Sequence, residues 1–321
     1  MSTLIFGGGG FIGINLLMQL IEAQPNKKIV VYDRNLNSTF FANEFSLRKN
    51  LNVELIEADI HDSSQIGDVV KSCKPESIFH LAANSDIRRS ALNAEIDLRD
   101  TLLTTSSILQ AIPKSIRPVF MFASSSAVYG ESAKKFKESS SKEPISYYGI
   151  AKLASEKLLE DSFARKKISK LRIVRFPNVV GRYMTHGVLF DFLHQIKSGV
   201  TSLKVLGDGT QDKPFMSAFT LVKVILALCE LPHGLLTVNV SAKDSLSIKE
   251  IASLCVEITG KHIPIEFGNS DRGWKTDVPR YSLDTTLLKE LLPEFYPEAS
   301  KIALRESIEQ FWTDLTKSNN D

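Results

Sequence analysis

Tyr148 and Lys152 stand four residues apart, a spacing that stacks a phenol and an ammonium on one face of a helix. Such a pair can move protons. A phenol ordinarily titrates near pH ~10, so action near neutrality requires lowering it by roughly three pH units, about 4 kcal/mol. A neighbouring ammonium supplies part of that by stabilising the phenolate, and an oxidised nicotinamide would add a second positive charge. Tyr147 competes for the role, but only Tyr148 has a lysine one helical turn away. Ser124-Ser125-Ser126 closes an apolar run that reads as a strand, at the edge where ligands of open α/β sheets bind. One hydroxyl of the three suffices for catalysis; otherwise the run is a polar strand-to-loop transition.

A second set of residues suits a diphosphate. Gly7, Gly10 and Gly13 follow Leu4-Ile5-Phe6 at G-x-x-G-x-x-G spacing. A strand that turns at once into a helix aims backbone N–H groups outward, glycines admit the phosphates, and the helix dipole favours their charge. Lys28-Ile29-Val30-Val31-Tyr32 reads as the next strand and ends in Asp33. Asp33 lies about twenty residues past the last glycine, where a dinucleotide-binding βαβ unit holds ribose hydroxyls with a carboxylate. That carboxylate repels a 2′-phosphate and favours NAD over NADP, with Arg34 beside it acting in the opposite sense.

The elements that must position these groups alternate through the first half of the chain. Strands are predicted near Val53–Glu57, Ser77–Leu81, Val119–Ser124 and Leu171–Phe176, with helices near Ser63–Ser72, Asp97–Ala111 and Tyr147–Lys167. Short apolar strands separated by longer helices imply a parallel sheet covered on both faces. Beyond residue 176 the alternation lapses into a loop-rich stretch over 177–216, followed by a helix near 217–231 and a returning strand at Leu235–Val240. Ser247-Ile248-Lys249-Glu250 is a capping box opening an amphipathic helix, and Ile302 to Leu315 repeats apolar residues at helical spacing for core packing. The predicted division is a dinucleotide-binding domain over 1–176 plus 217–241 and a substrate lobe over 177–216 plus 242–321.

Composition narrows the classes. With 321 residues the chain can bury a large core, and 39 Lys and Arg against 37 Asp and Glu give no basic excess for nucleic acid or membrane surface. Cys73, Cys229 and Cys255 are odd in number and far apart, which argues against a disulfide framework or a metal site and fits a reducing compartment. The sequence begins on a strand with no basic and apolar leader, and its most apolar later run is short and charged, so a soluble, cytoplasmic protein is expected.

In order along the chain, GGGGFIG (7–13), Asp33, Ala58-Asp59-Ile60, His80-Leu81-Ala82-Ala83-Asn84, SSSAVYG (124–130), YYGIAK (147–152), RFPNVVG (175–181), THGVLFDF (185–192), GDGTQ (207–211) and DRGWKTDVP (271–279) resemble the extended short-chain dehydrogenase/reductase family. Within it the resemblance is to NAD-dependent sugar-nucleotide epimerases of the UDP-glucose 4-epimerase type, and it covers nearly the whole chain. It implies an α/β fold, a Rossmann-type doubly wound parallel sheet with a smaller C-terminal substrate-binding lobe. It implies NAD held by Gly7, Gly10, Phe11, Ile12, Gly13, Asp33, Asp59, Ile60, Ala82, Ala83 and Pro177, with Asp59 at the adenine and Pro177 beside the nicotinamide. The implied catalytic residues are Ser125, Tyr148 and Lys152, the last two also touching the cofactor. The substrate, a nucleotide-diphosphate sugar, would be met by Asn84, Ser125, Ser126, Asn178, Lys213, Arg272 and Asp277, the last at the nucleotide ribose, and Tyr281 would line the hexose pocket. His80 reads as a core strand residue, and Arg88 and Arg89 as either phosphate ligands or solvated charges.

Departures from the family pattern shape the expected reaction. Related 4,6-dehydratases and decarboxylases carry an acid just after the catalytic hydroxyl, whereas this chain has Ser126 and Ala127. Epimerisation at C4 through a transient 4-keto sugar is therefore expected. A reductase or dehydratase of the same family, and a non-catalytic dinucleotide sensor, stand as alternatives. Phe6 replaces a threonine, Asp97 an asparagine, Lys213 an arginine and Phe219-Thr220 an acidic pair, and Arg272 lies two residues off the family spacing. The family commonly forms homodimers through helices that fall here near 97–111 and 147–167.

Overall fold

The computed structural model describes residues 2–36, 52–274 and 276–317. Contacts divide the chain into two units, the first made of residues 1–125, 147–175 and 222–238, and the second of 126–146, 176–221 and 239–321.

In the first unit the glycine turn joins β1 (Ser2–Phe6) to α1 (Phe11–Ala23), and β2 (Lys28–Asp33) follows. Next come β3 (Val53–Glu57), α2 (Ser63–Cys73) and β4 (Pro75–His80), then β5 (Val119–Ala123) and β6 (Lys170–Arg175). The strand at Leu235–Asn239 completes a seven-stranded sheet of order 235–239, β6, β5, β4, β1, β2, β3, and the five pairs from β6 to β3 run parallel. This is a doubly wound, Rossmann-type sheet, with its order reversing between β1 and β4. Side chains two apart share a face of a strand. Thus Leu4 and Phe6, Val30 and Tyr32, Phe120 and Phe122, and Leu171 and Ile173 form one buried layer with Ile66, Val70, Ile108 and Leu159.

The predicted 97–111 helix differs in detail. A short turn of helix begins at Ala94, because the Asn93 side chain accepts the Glu95 N–H at 2.9 Å and caps it. A π-helix then runs from Leu98 to Leu103 before α-geometry resumes over Thr104–Ala111. The helix from Tyr147 ends at Ala164, three residues early, since Lys166 takes a left-handed conformation (φ 60°) and Lys167 N–H turns back to the Ser162 carbonyl. β5 stops at Ala123, so Ser124–Ser126 follow the strand instead of ending it.

The second unit is more regular than the sequence suggests. The 177–216 stretch contains a helix, Val188–Lys197, whose Leu189, Phe192, Leu193 and Ile196 form a buried stripe at helical spacing. Both halves of the capping box are present at Ser247 and Glu250, and the helix Ile248–Thr259 ends on left-handed Gly260. Ala303, Leu304, Ile308 and Phe311 of the last helix, Ser300–Lys317, are buried. Residues 126–146, placed with the first domain by chain order, cluster here instead. Long-range bonds explain it: Tyr129 donates to Asn239 Oδ1 at 2.7 Å, its ring stacks on Phe136 at 4.8 Å, and Phe136 N–H reaches the Ser282 carbonyl at 2.9 Å.

Candidate active site

The glycine turn of the first unit is built for close approach. Gly7 has φ 82°, and a Cβ there would lie 2.5 Å from the Ala82 nitrogen, so the turn rests directly on the chain leaving β4. A Cβ on Gly13 would meet the Gly7 oxygen at 2.2 Å. Gly10 is the N-cap of α1 without a side-chain cap, and a Cβ there would meet only the Gly7 oxygen, at 3.4 Å. The first turn therefore has no side-chain cap on its N–H groups, and the exposed Gly10 leaves room beside it, as an anion requires. Phe11 and Ile12 are half-buried in the first turn, and Ala82 and Ala83 are half-buried after β4. Asp33 Oδ2 accepts the Gly9 N–H at 2.9 Å and Oδ1 the Asn35 N–H at 3.1 Å, which ties β2 to the glycine turn. Burial raises the Asp33 carboxyl above its usual range against those bonds. Arg34 pairs with Asp100 at 3.5 Å. Asp59 accepts the backbone and ring N–H groups of His61, which hold its carboxyl low while most of it stays exposed, and Ile60 packs at the core's margin. Asp62 caps the helix at Ser63, its side chain accepting the Gln65 N–H.

The 147–164 helix of the same unit carries Tyr148, half-buried, and Lys152, buried, whereas Tyr147 is exposed. Ser125 is hydrogen-bonded to Tyr148, which favours the phenolate. Lys152 Nζ donates to the Ala123 carbonyl at 2.6 Å and lies 5.7 Å from the centre of the Tyr148 ring. The charges run opposite to the expectation from spacing. Burial pushes the Tyr148 phenol up to about 12, and burial brings Lys152 down to about 7, opposed by Asp97 and Glu156. Desolvation outweighs the Ser125 bond at the phenol and the two acidic neighbours at the lysine. His80 is a core residue with its Nε2 2.9 Å from Thr105 Oγ1, and burial drives its imidazole well down.

The sequence offered no reading of the group behind the lysine. Glu156 is fully buried one helical turn beyond Lys152, accepting Ser124 Oγ at 2.5 Å and Arg175 Nε at 2.8 Å on Oε1, and Arg175 Nη2 at 2.6 Å on Oε2. It fastens the 147–164 helix to the ends of β5 and β6. The i+4 spacing of Tyr148, Lys152 and Glu156 was the available signal; the partner on β6 was not. Asn84 donates to Asp97 Oδ1 at 2.9 Å and to the Asp86 carbonyl at 3.2 Å, both inside the unit. Arg88 is exposed, and the Arg89 side chain lies outside the described residues.

The second unit collects the other predicted residues. Lys213 pairs with Asp277 Oδ1, the Gly273 N–H donates to Oδ2 at 3.1 Å, and Arg272 donates to the Asp277 carbonyl at 2.6 Å and to Glu131 at 2.8 Å. The offset Arg272 thus reaches the Asp277 segment. Lys213 is neutralised by a carboxylate, with its Nζ 5.3 Å from the Trp274 ring centre. Asn178 Nδ2 donates to the Tyr281 hydroxyl at 3.1 Å, Ser126 N–H reaches the Phe176 carbonyl at 3.0 Å, and Pro177 is buried. Gln211 Oε1, Trp274 Nε1 and Thr276 Oγ1 are buried with no partner among the described residues, leaving polar atoms for a ligand.

The model of the NAD-dependent epimerase/dehydratase family matches residues 3–240. The chain belongs to that family. As an epimerase/dehydratase family member it is similar to an uncharacterised UDP-glucose epimerase of Bacillus subtilis (strain 168), 29% identical over 85% of this chain and 87% of the relative. It is also similar to a UDP-N-acetyl-α-D-glucosaminuronate decarboxylase of Bacillus cytotoxicus, 28% identical over 96% of this chain and 97% of the relative. Among solved structures it resembles the UDP-glucose 4-epimerase of Thermotoga maritima with UDP-glucose, 26% identical, with a TM-score of 0.84 over 98% of this chain and all of that one. The family cofactor is NAD, and the uncapped turn at Gly10 and the Asp33 carboxylate fit it. Among the described residues no group of His, Cys, Asp and Glu could hold a metal ion, and no helix is long and apolar enough to cross a membrane.

Proposed function

We propose that the protein epimerises C4 of a nucleotide-diphosphate hexose of the UDP-glucose/UDP-galactose type through a transient 4-keto sugar. The observation that carries this reading is the Ser125–Tyr148–Lys152 set followed by Ser126 and Ala127, with no carboxylic acid to drive elimination. When bound, NAD supplies a hydride acceptor that becomes the donor for the return step. Tyr148 takes the proton of the C4 hydroxyl and later gives it back, and Ser125 hydrogen-bonds that oxygen. Lys152, with its Nζ near the phenol ring, stabilises the phenolate whenever it carries charge. Burial raises the Tyr148 phenol and the Ser125 hydrogen bond opposes that rise, so Ser125 also helps ready the phenol for proton transfer.

In this reading the first unit serves the dinucleotide through Gly7, Gly10, Phe11, Ile12, Gly13, Asp33, Asp59, Ile60, Ala82 and Ala83. Residues of the second unit, Asn178, Lys213, Arg272 and Asp277, serve the sugar nucleotide. Asp277 meets its ribose after exchanging part of its present bonding to Lys213 and Gly273. Ser126 and Asn84 support the sugar, and Pro177 meets the nicotinamide. The protein works in the cytoplasm as a homodimer, with Leu98 and Leu103 (48% and 52% exposed) and Ile150 and Leu158 (49% and 39%) as the apolar face. Incubation with UDP-, dTDP- and GDP-hexoses should yield the C4 epimer by NMR with no net NADH. A 4-keto-6-deoxy product or stoichiometric NADH would favour the dehydratase or reductase alternative. Tyr148→Phe should retain NAD and slow turnover by about 10²–10⁴-fold.

A further inference from the structure

Arg34 directly follows Asp33 at the end of β2, where a guanidinium can receive the 2′-phosphate that distinguishes NADP from NAD. It would do so through two parallel N–H groups, and for that it must be available. In this structure it is engaged from a distant part of the chain. Arg34 Nη1 donates to Asp100 Oδ2 at 3.5 Å, and Asp100 sits on the π-helix Leu98–Leu103, 66 positions further on.

Asp100 is the fixed member of the pair. Its side chain is 11% exposed against 61% for Arg34, and Arg99 Nε donates to its Oδ1 at 2.8 Å. Burial favours the protonated acid, yet Arg99 and Arg34 hold the Asp100 carboxyl below the usual carboxylate range. The π-helix is itself tied down, since His61 Nε2 lies 2.9 Å from the Arg99 carbonyl. The charged groups on the surrounding elements are Asp33 on β2, Glu57 on β3, Asp59, His61 and Asp62 on the turn after β3, and Glu95, Arg99 and Asp100 on the 94–103 segment. Both Asp33 oxygens accept backbone N–H groups, Glu57 accepts the Leu36 N–H at 3.1 Å, and Asp59 Oδ1 is taken by His61. Among the described residues the carboxylate paired with Arg34 is Asp100.

We infer that Asp100 is a specificity-determining residue for the dinucleotide: by pairing with Arg34 it withholds the guanidinium beside the ribose carboxylate from a 2′-phosphate and so reserves the site for NAD. This rests on the reading of Asp33 as that carboxylate. The two acids act differently. Asp33 repels a phosphate directly, whereas Asp100 occupies the group that would offset the repulsion. A phosphate seeking Arg34 must first break the pair, and an exposed pair of this kind is worth up to about fivefold in an equilibrium constant. NAD lacks the phosphate and has no need of Arg34, so its binding bears no such cost.

The test is Asp100→Asn in the full chain, with dissociation constants for NAD and NADP measured by equilibrium dialysis against the labelled dinucleotides at constant ionic strength. The ratio of the NADP constant to the NAD constant should fall about two- to fivefold, with the NADP constant carrying the change. In an Arg34→Ala background the same substitution should leave the ratio unmoved, and in an Arg99→Ala background it should still lower it. Asp100→Ser provides the same comparison if the asparagine variant folds poorly. A ratio unmoved in a folded Asp100 variant that binds NAD normally overturns the inference. So does an equal fall in the Arg34→Ala background, which would be the effect of charge removal alone. An unaltered protein that binds neither dinucleotide would overturn the reading of Asp33 and this inference with it, a result distinct from normal NAD binding with an unmoved ratio.

Discussion

Replacing Glu156 with Gln removes one charge from an ion pair whose side chains are 0% and 2% exposed, and takes the Glu156 carboxylate away from the buried Arg175 guanidinium. Breaking such a pair from one side costs about 3–5 kcal/mol, a large share of the ~5–15 kcal/mol by which folded domains are stable. With a urea dependence of about 3 kcal/mol/M for a chain of this size, the unfolding midpoint should fall by about 1–1.7 M. Circular dichroism of the folded fraction against urea at neutral pH measures it. Glu156→Leu combined with Arg175→Met removes both charges and should recover most of the loss, since apolar groups can replace a buried pair at little cost. A single variant within about 0.5 kcal/mol of the unaltered protein would refute the view that this pair fastens the 147–164 helix. A double variant as unstable as the single one would refute the charge argument.

Gly7→Ala forces a Cβ to within 2.5 Å of the Ala82 nitrogen at φ 82°, and should abolish NAD retention or destabilise the first unit, as read by bound-NAD content and melting temperature. Asp33→Ser removes the carboxylate at the glycine turn and should shift selectivity toward NADP, measured as the ratio of the two dissociation constants. The folded state lowers Lys152 to about 7 from an ordinary value of about 10.5, so it binds fewer protons there than the unfolded chain. Its destabilising effect is therefore full below about pH 7 and fades as pH rises toward 10.5. Lys152→Met should stabilise the protein at neutral pH, and the gain should shrink by about pH 10 in urea unfolding.

Much of the first unit was legible because local pattern and tertiary demand agree there. β1, the glycine turn and Asp33 sit where their spacing puts them, and the capping box at Ser247 and Glu250 is complete. What was not legible depends on partners distant in sequence. Arg175 and Glu156 are both ordinary charges until the sheet brings them together, and residues 126–146 join the second unit through Tyr129 and Asn239, 110 positions apart. The 188–197 helix hid behind Gly187 and its polar surroundings, although its apolar stripe was present. The direction of the Tyr148 and Lys152 shifts was missed because helical spacing reports proximity and not desolvation.

Arg172 is fully buried on β6, and its guanidinium donates to the carbonyls of Leu171, Leu228, Leu231, His233 and Gly234 at 2.7–3.2 Å. Four of those acceptors arrive more than fifty positions later, after the polypeptide has left the first unit and come back. A fragment ending at residue 175 would hold every strand from β1 to β6 and still strand that cation in the interior. The first unit is thus closed by its last-made segment, so a nascent chain cannot finish it until much of the second unit has been synthesised.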